Sequence, residues 1–353
     1  MKINSILVRA IIKTFKITDY ELSVYFKHDI PAYQSCLEIN HEYMMDASIL
    51  FTLLERLRAK HTDTEQFYAL LYKLNVLHLG FIGNFLICCK NMYIVHDKLE
   101  KYEMLISDFV EFYYRIENEE IICGAQIPYS LVKAENDLKD IDCVIDFELI
   151  SRHRILESIV RGKIKPKRIM LNEKVYKKER LPAIRKLFEC EIYSHQGYNE
   201  IVYSLNNYTK SIEYNNYTSY LILEPHVDNH LKKLYNDENY HMVIKRLLMN
   251  NLHQFPLSIE VVAQRLLMSV RKLQKILQEE NTSYQTICND VKKEIALLYL
   301  SKGYKVKEIA QKLGYKESNS FTRSFRTWFD MSPDEYKEHL LSKKEKLSSN
   351  VYS

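Results

Sequence analysis

Glycine and proline are scarce in this 353-residue chain, seven of each, and tryptophan occurs once. So few turn formers argue against a loop-dense β-sandwich and for helix. They also leave little material for the glycine-rich loops that wrap phosphates. There is no Gly-x-Ser-x-Gly, no His-Glu-x-x-His and no phosphate-cradling loop. The 46 carboxylates show no spacing that nominates an acid–base pair. No catalytic residue and no cofactor is assigned, and the chain is read as a non-enzyme. The seven cysteines, Cys36, Cys88, Cys89, Cys123, Cys143, Cys190 and Cys288, are odd in number and scattered, with no Cys-x-x-Cys. With no hydrophobic leader at the N-terminus, this argues against a disulfide framework or structural zinc site. They read as buried thiols of a reduced, cytoplasmic protein, the Cys88-Cys89 pair included. No apolar run approaches the ~20 residues of a membrane span, so no membrane partner is expected. The net charge is only +4, so any electrostatic footprint for nucleic acid has to be local.

What is present is more telling. With 46% hydrophobic residues the chain can build sizeable cores, and its length allows two or three domains of ~100–200 residues. The 27 tyrosines accompany many Lys, Asn and Ile and are read as background composition. The stretch Ser258 to Tyr336 contains one small helical unit twice. Ile259-Glu-Val-Val262-Ala263-Gln264-Arg265-Leu266 aligns with Val306-Lys-Glu-Ile309-Ala310-Gln311-Lys312-Leu313 at a constant offset, 306 − 259 = 47. Apolar residues at i, i+3, i+4 and i+7 mark one helical face in both. Solvated surface helices would not need their inner positions to repeat in register.

Each copy leads into a second amphipathic helix. In the first, Ser269 is the expected N-cap of a helix over Val270 to Glu280, with Leu273, Ile276 and Leu277 inward and Arg271, Lys272, Gln274 and Lys275 outward. In the second, Gly314 ends the first helix. A helix from about Ser318 then buries Phe321 and Phe325 and exposes Asn319, Thr322, Arg323 and Arg326. Helix, short turn and a helix with an Arg, Lys, Gln, Asn and Thr face form the helix-turn-helix pattern. Those outer residue types pair with base edges and phosphates. Between the units, Ser283 caps a run in which Tyr284, Ile287, Cys288, Val291, Ile295 and Leu298 share one face, ending at Ser301-Lys302-Gly303. About 19 residues at ~1.5 Å rise make a rod of roughly 28 Å. Successive major grooves on one face of a duplex lie about 34 Å apart.

Residues 240 to 341 resemble the DNA-binding domain of the AraC/XylS family of bacterial transcription regulators. The resemblance is carried by Gly314-Tyr315, by Ser320-Phe321-Thr322-Arg323-Ser324-Phe325-Arg326 and by Phe329-Asp330-Met331-Ser332-Pro333-Asp334-Glu335-Tyr336. It implies base-reading residues at Arg271, Gln274 and Lys275 in the first unit and at Ser318, Asn319, Thr322 and Arg323 in the second. Lys272 and Arg326 are expected at phosphates. Leu267, Asn281 and Asp330 stand where the family commonly has Gly. Asn and Asp tolerate the left-handed region, whereas Leu267 puts the geometry of the first turn in question.

The N-terminal part reads as α+β. Its first hundred or so residues have a helical texture: Leu50, Leu53, Leu54 and Leu57 form one stripe, Leu79 to Cys89 a short buried helix, and Asp97 to Phe109 an amphipathic helix. Gly80 and Gly83 would admit a second backbone closely. A hairpin is expected at Phe112 to Cys123, turning at 117–120, then a helix from Asp146 to Arg161, a strand Lys167 to Leu171 and a helix Leu181 to Phe188. A second hairpin is expected from Glu191-Ile192-Tyr193 and Ile201 to Leu205. Leu79-Gly80-Phe81-Ile82-Gly83 and Leu187 to Tyr203 resemble the arabinose-binding-like N-terminal domain of VirS- and OruR-type regulators, which implies sensing or dimerisation. His226 and His230 share a helical face after Pro225, but two ligands do not close a metal site, and none is assigned.

The expected organisation is a sensor or dimerisation domain over 1–215, a helical linker over 216–250, the DNA-binding domain over 251–341 and a polar tail over 342–353. The partners that follow are double-stranded DNA, a small-molecule effector, RNA polymerase and a second copy of the chain. Two other readings stay open: a non-specific architectural DNA binder, and a metabolite-binding or enzymatic N-terminal domain for which DNA binding is secondary.

Overall fold

The computed structural model describes residues 1–338 apart from 39–41, 109, 127–140, 161, 173–177, 197–198, 208–211, 213–214, 237–238, 251–254 and 302. The polar tail lies outside the described residues. The chain divides into two compact units, Met1–Leu234 and Tyr235–Ser353.

The first unit opens with strand β1 (Lys2–Asn4) running directly into helix α1 (Ser5–Thr14). The Asn4 side chain accepts a hydrogen bond from the Ile6 backbone N–H at 2.9 Å and so closes the helix start. Helix α2 (Asp19–Tyr25) begins with a Thr18–Glu21 capping box and α3 (Ile30–Leu37) with Asp29. Strand β2 (Met44–Asp46) pairs antiparallel with β1, Ile3 opposite Met45. Three-residue strands are too short for alternation to show in the sequence, and this ribbon was not anticipated. In α4 (Ala47–Lys60) the stripe Leu50, Leu53, Leu54 and Leu57 is fully buried. Helix α5 (Thr64–Leu71) follows its Asp63 cap.

The expected helix from Leu79 to Cys89 is buried but broken in two. A 3₁₀ turn, Val76–Leu79, ends at Gly80 (φ 64°), and α6 (Phe81–Leu86) starts afresh. A Cβ on Gly83 would lie 1.8 Å from the Val76 carbonyl oxygen, so only glycine lets turn and helix approach this closely. Helix α7 (Met92–Tyr102) begins earlier than the expected Asp97 because Asn91 caps it, and a 3₁₀ turn, Glu103–Leu105, ends it. Phe109, the expected end, lies outside the described residues.

Strands β3 (Glu111–Glu117) and β4 (Glu120–Gln126) form the first hairpin as expected. Asn118 and Glu119 both adopt positive φ, 48° and 60°, as a tight two-residue hairpin turn requires. Helix α8 (Ile141–Val160) starts before the expected Asp146 and packs on α4 and α5. Strand β5 (Arg168–Asn172), helix α9 (Leu181–Phe188), strand β6 (Glu191–Gln196) and strand β7 (Asn199–Ser204) complete the sheet. Its order is β3-β4-β7-β5-β6, with only β5 and β6 parallel. The expected second hairpin is therefore corrected: β6 and β7 are consecutive but do not pair, because β5 lies between them. Residues Asn199 to Tyr203 are buried without interruption, the mark of a central strand. Tyr193 on β6 is exposed, as suits an edge.

Helix α10 (Tyr217–Asn236) contains Pro225 in its interior. Side chains anchor it to α7: Lys98 to Glu224 at 2.8 Å, Lys101 to Asp228 at 2.8 Å, and the Tyr102 hydroxyl donating to Asp228 at 2.7 Å. Those contacts offset the backbone bond that proline cannot make. His226 and His230 are both exposed on α10, His230 edge-on to Phe81. Among the described residues no group of three or more His, Cys, Asp or Glu is placed to hold a metal. None of the seven cysteines is in a disulfide, and burial pushes the Cys89 thiol up to about 12. No described helix is long and apolar enough to cross a membrane.

The second unit begins with α11 (Tyr240–Asn250), whose first N–H groups, on Tyr240 and His241, donate to Glu280 at 2.8 and 2.9 Å. The segment read as a linker, 216–250, is thus divided between the two units. Then follow α12 (Ile259–Arg265), α13 (Val270–Glu279), α14 (Tyr284–Ser301), α15 (Val306–Lys312) and α16 (Ser318–Phe329). An α+β unit precedes a mainly α unit of two helix pairs joined by a long helix.

Two buried imidazoles make the first unit acid-sensitive. Burial pushes His96 down to about 3 and His153 down to about 4. His153 faces the Tyr203 hydroxyl at 2.9 Å and Glu157 at 3.6 Å. A depressed histidine gives stability that is full above its unfolded value of ~6.5 and is lost as pH falls toward the folded one. Urea midpoints should fall from pH 7 to pH 5, and His153→Gln should flatten that fall by about one proton. Equal slopes for both proteins would contradict the assignment.

Candidate nucleic-acid interface

The two helix pairs share a turn. Ala263 and Ala310 are buried at the same place in α12 and α15, small enough for the partner helix to cross closely. In the first turn the Leu267 N–H donates to Gln264 and the Met268 N–H to Ala263, both at 3.0 Å. In the second, Gly314 donates to Gln311 at 3.0 Å and Tyr315 to Ala310 at 2.9 Å. This is the Schellman closure, which needs a left-handed residue. Gly314 supplies it at φ 76° and Leu267 at φ 57°. The departure at Leu267 therefore changes the strain of the turn and not its path. Asn281 (φ 56°) and Asp330 (φ 55°) are left-handed too, each following the helix it ends.

Beyond the turn the register moves by one residue. Ser269 caps α13, its hydroxyl accepting from the Lys272 N–H at 3.3 Å, whereas α16 starts after Glu317. The buried residues now align at 321 − 273 = 48 and 325 − 277 = 48, pairing Leu273 with Phe321 and Leu277 with Phe325. At the same offset Arg271 pairs with Asn319, Gln274 with Thr322 and Lys275 with Arg323. Six of the residues singled out from the sequence thus occupy three equivalent places. Arg271, Lys272, Gln274, Lys275, Asn319, Arg323 and Arg326 are exposed, while Ser318 and Thr322 are half-buried and Ile276 is less deeply buried than its neighbours. The Thr322 hydroxyl donates to the Ser318 carbonyl at 3.1 Å. Lys275 lies 3.7 Å from Glu279, an exposed pair of little energetic weight.

Ser318 and Asn319 line a surface groove of about 330 Å³ with Lys307, Gln311, Lys316 and Tyr315. Lys307, Gln311 and Lys316 did not stand out in the sequence, since the periodicity that locates the reading helix says nothing about the edge of the preceding one. Helix α14 presents Ile287, Cys288, Val291, Ile295 and Leu298 as its buried face, and Ser283 caps it through the Thr286 N–H at 3.1 Å. The Tyr284 hydroxyl donates to the Leu257 carbonyl at 2.7 Å. After α16 the Ser-Pro-x-x-Tyr run has a structural explanation. Ser332 and Glu335 exchange cap bonds at 2.6 and 3.3 Å, Pro333 opens the helical turn 333–338, and Tyr336 packs on Phe325 and Phe329.

Two such units on one connecting helix define a bipartite helix-turn-helix domain. Residues 262–339 match the family described as "Helix-turn-helix domain", and this C-terminal segment is of the AraC type. Over 96 residues the chain is 38% identical to the ornithine utilization regulator of Pseudomonas aeruginosa, covering 27% of this chain and 28% of that protein. Over 78 residues it is 37% identical to the HTH-type transcriptional regulator GadX of Escherichia coli K12, covering 22% and 28%. The matched stretch is thus 28% of the length of each relative. Among solved structures, the transcriptional regulator CdpR of Pseudomonas aeruginosa aligns over 84% of this chain and all of that one, with 16% identity and a TM-score of 0.41. A DNA-binding transcriptional dual regulator of Escherichia coli K-12 aligns over 30% of this chain and 95% of that one, with 29% identity and a TM-score of 0.29.

The equivalent turn positions make opposite predictions. A Cβ on Gly314 would meet Pro256 Cδ at 2.5 Å as well as the left-handed backbone; Gly314→Ala should cost about 1–3 kcal/mol in thermal unfolding. Leu267→Gly relieves a strain of roughly 1–2 kcal/mol against the added entropy of the unfolded chain, and should be neutral or stabilising by up to about 1 kcal/mol. A destabilisation of Leu267→Gly as large as that of Gly314→Ala would show that turn strain is not the deciding effect.

Proposed function

We propose that this chain is a sequence-specific DNA-binding transcription regulator whose two reading helices, α13 and α16, enter adjacent major grooves. The observation that carries this reading is the pairing of Arg271, Gln274 and Lys275 with Asn319, Thr322 and Arg323 at equivalent places on two helices, opposite their buried faces. Helix α14, 18 residues long, spans about 27 Å at ~1.5 Å per residue, a spacing compatible with the ~34 Å repeat of the major groove. Arg323 and Asn319 read base edges in one groove, with Ser318 and Thr322 beside them. Arg271, Gln274 and Lys275 read the other. Lys272 and Arg326 neutralise phosphates, and Lys307 and Lys316 extend that basic margin. The N-terminal unit serves sensing, dimerisation or both, and RNA polymerase is the partner through which occupancy acts.

Arg323→Ala should weaken binding to the preferred site by about 1–3 kcal/mol and relax preference at one base pair. Lys272→Ala should instead weaken every sequence alike and lower the salt slope by about one unit. Titrations against the chain's own site and random duplex, over a salt series, separate the two. Equal losses on both duplexes for Arg323→Ala would remove the base-reading assignment and leave a non-specific binder.

A further inference from the structure

Helix α8 carries Glu148, Ser151, Arg152 and Ile155 along one face, and that face closes a cavity inside the first unit. The other walls are mainly apolar, with Leu7, Leu79, Leu99 and Phe112, and carry Asn75 and Ser107 as their polar residues. The cavity offers about 30 Å³ to the centres of water molecules, room for about two of them. A smaller recess of about 10 Å³ also reaches Arg152, Phe112 and Leu99.

Arg152 is 5% exposed, and its guanidinium is held on one side only. Nη1 donates to the Gly124 carbonyl at 2.5 Å, and the plane lies 3.6 Å from the centre of the Phe112 ring. Nε and Nη2, the two donors of one edge, are buried without a hydrogen-bond partner. Glu148, the nearest carboxylate, is 3.6 Å from Nη2, beyond hydrogen-bond reach. Burial pushes the Glu148 carboxyl up to about 7 and pulls Arg152 down, against the opposite pull that each charge exerts on the other, so the pair offsets only part of what burial costs it. A buried cation with two parallel unmet donors is the geometry that a planar two-oxygen anion completes.

We propose that the first unit binds the smallest monocarboxylates, formate or acetate, the two oxygens on Nε and Nη2 of Arg152 and the acetate methyl against the apolar walls. A single cationic group and one acidic neighbour suit a monovalent anion and disfavour a divalent one such as phosphate. The small free volume limits the alkyl part. With the ligand seated, Glu148 is the displaced rival of the bound carboxylate and is held neutral beside it. This rests on the sensing part of the function proposed above, but it is read without DNA.

Equilibrium dialysis of the full chain against labelled acetate, at constant ionic strength, tests it. The expected result is one acetate per chain, displaced by formate but not by butyrate, acetamide or inorganic phosphate. Arg152→Gln should bind at least tenfold more weakly, and Glu148→Gln several-fold more tightly because the rival carboxylate is gone. The Glu148→Gln result decides the matter even if Arg152→Gln does not fold. Absence of acetate binding, equal competition by acetamide, or unchanged or weaker binding by Glu148→Gln overturns the proposal. A separate titration with the preferred duplex tells the two readings apart: acetate binding without sequence preference refutes the regulator and leaves the pocket standing, and the reverse refutes only the pocket.

Discussion

The C-terminal unit depends on a single backbone event repeated twice, a left-handed residue that lets a helix end and turn within a few residues. The bond from Met268 to the Ala263 carbonyl, and from Tyr315 to the Ala310 carbonyl, closes each helix at the same point. The following helix then leaves over a residue with no more than a methyl side chain. Everything outward on α13 and α16 inherits its direction from that closure. The one-residue difference between the two turns is absorbed before the helices begin, since the buried pairs Leu273/Phe321 and Leu277/Phe325 restore a common register. Hydrophobic burial sets the phase, and the polar residues follow it.

That dependence explains what was legible in the sequence. The apolar periodicity of the two units, the Ser269 and Ser283 caps and the stop at Gly314 are local signals, and each matched the structure. So were Asn118 and Glu119 at the first hairpin and the buried leucine stripe of α4. The left-handed conformation of Leu267 was not legible, because a leucine carries no mark of it; only its alignment with Gly314 does. Pairing within the sheet was hidden for a different reason. Strands β6 and β7 are neighbours in sequence, yet β5 separates them, and a choice between partners is made by tertiary packing that no local pattern records. The interior position of Pro225 is another such case, allowed by ion pairs from α7 that lie far off in the chain. The reading residues were located by periodicity and resemblance together; their exposure follows from the burial of the opposite face.

The two units treat charge in opposite ways. In the second, the outer face of the reading helices carries the cations, and the buried polar residue among the described ones is Ser332. In the first, Asp146, Glu148, Arg152, Glu157, Arg180 and Glu200 are all buried, together with His96 and His153. Some of these are well satisfied. Glu200 accepts from the Tyr113 hydroxyl at 2.6 Å and pairs with Arg115, and Asp146 pairs with Arg180 at 2.6 Å. Such complete pairs hold one conformation, because every alternative leaves an ion stranded in a low dielectric. Arg152 with Glu148 is incomplete in the same interior.

An incomplete buried pair has a consequence that a complete one lacks. Its deficit is removed by any bound group that supplies the missing acceptors, so the occupied and empty forms of the unit differ in stability by the free energy of that binding. A group bound there would change the balance on α8, which packs against α4 and α5. A net charge of +4 for the whole chain conceals this arrangement. The cations facing out on α13 and α16 act through solvent, where salt screens them. The buried charges of the first unit act over a few ångströms, where salt does not reach. The two kinds of charge thus fall in separate units.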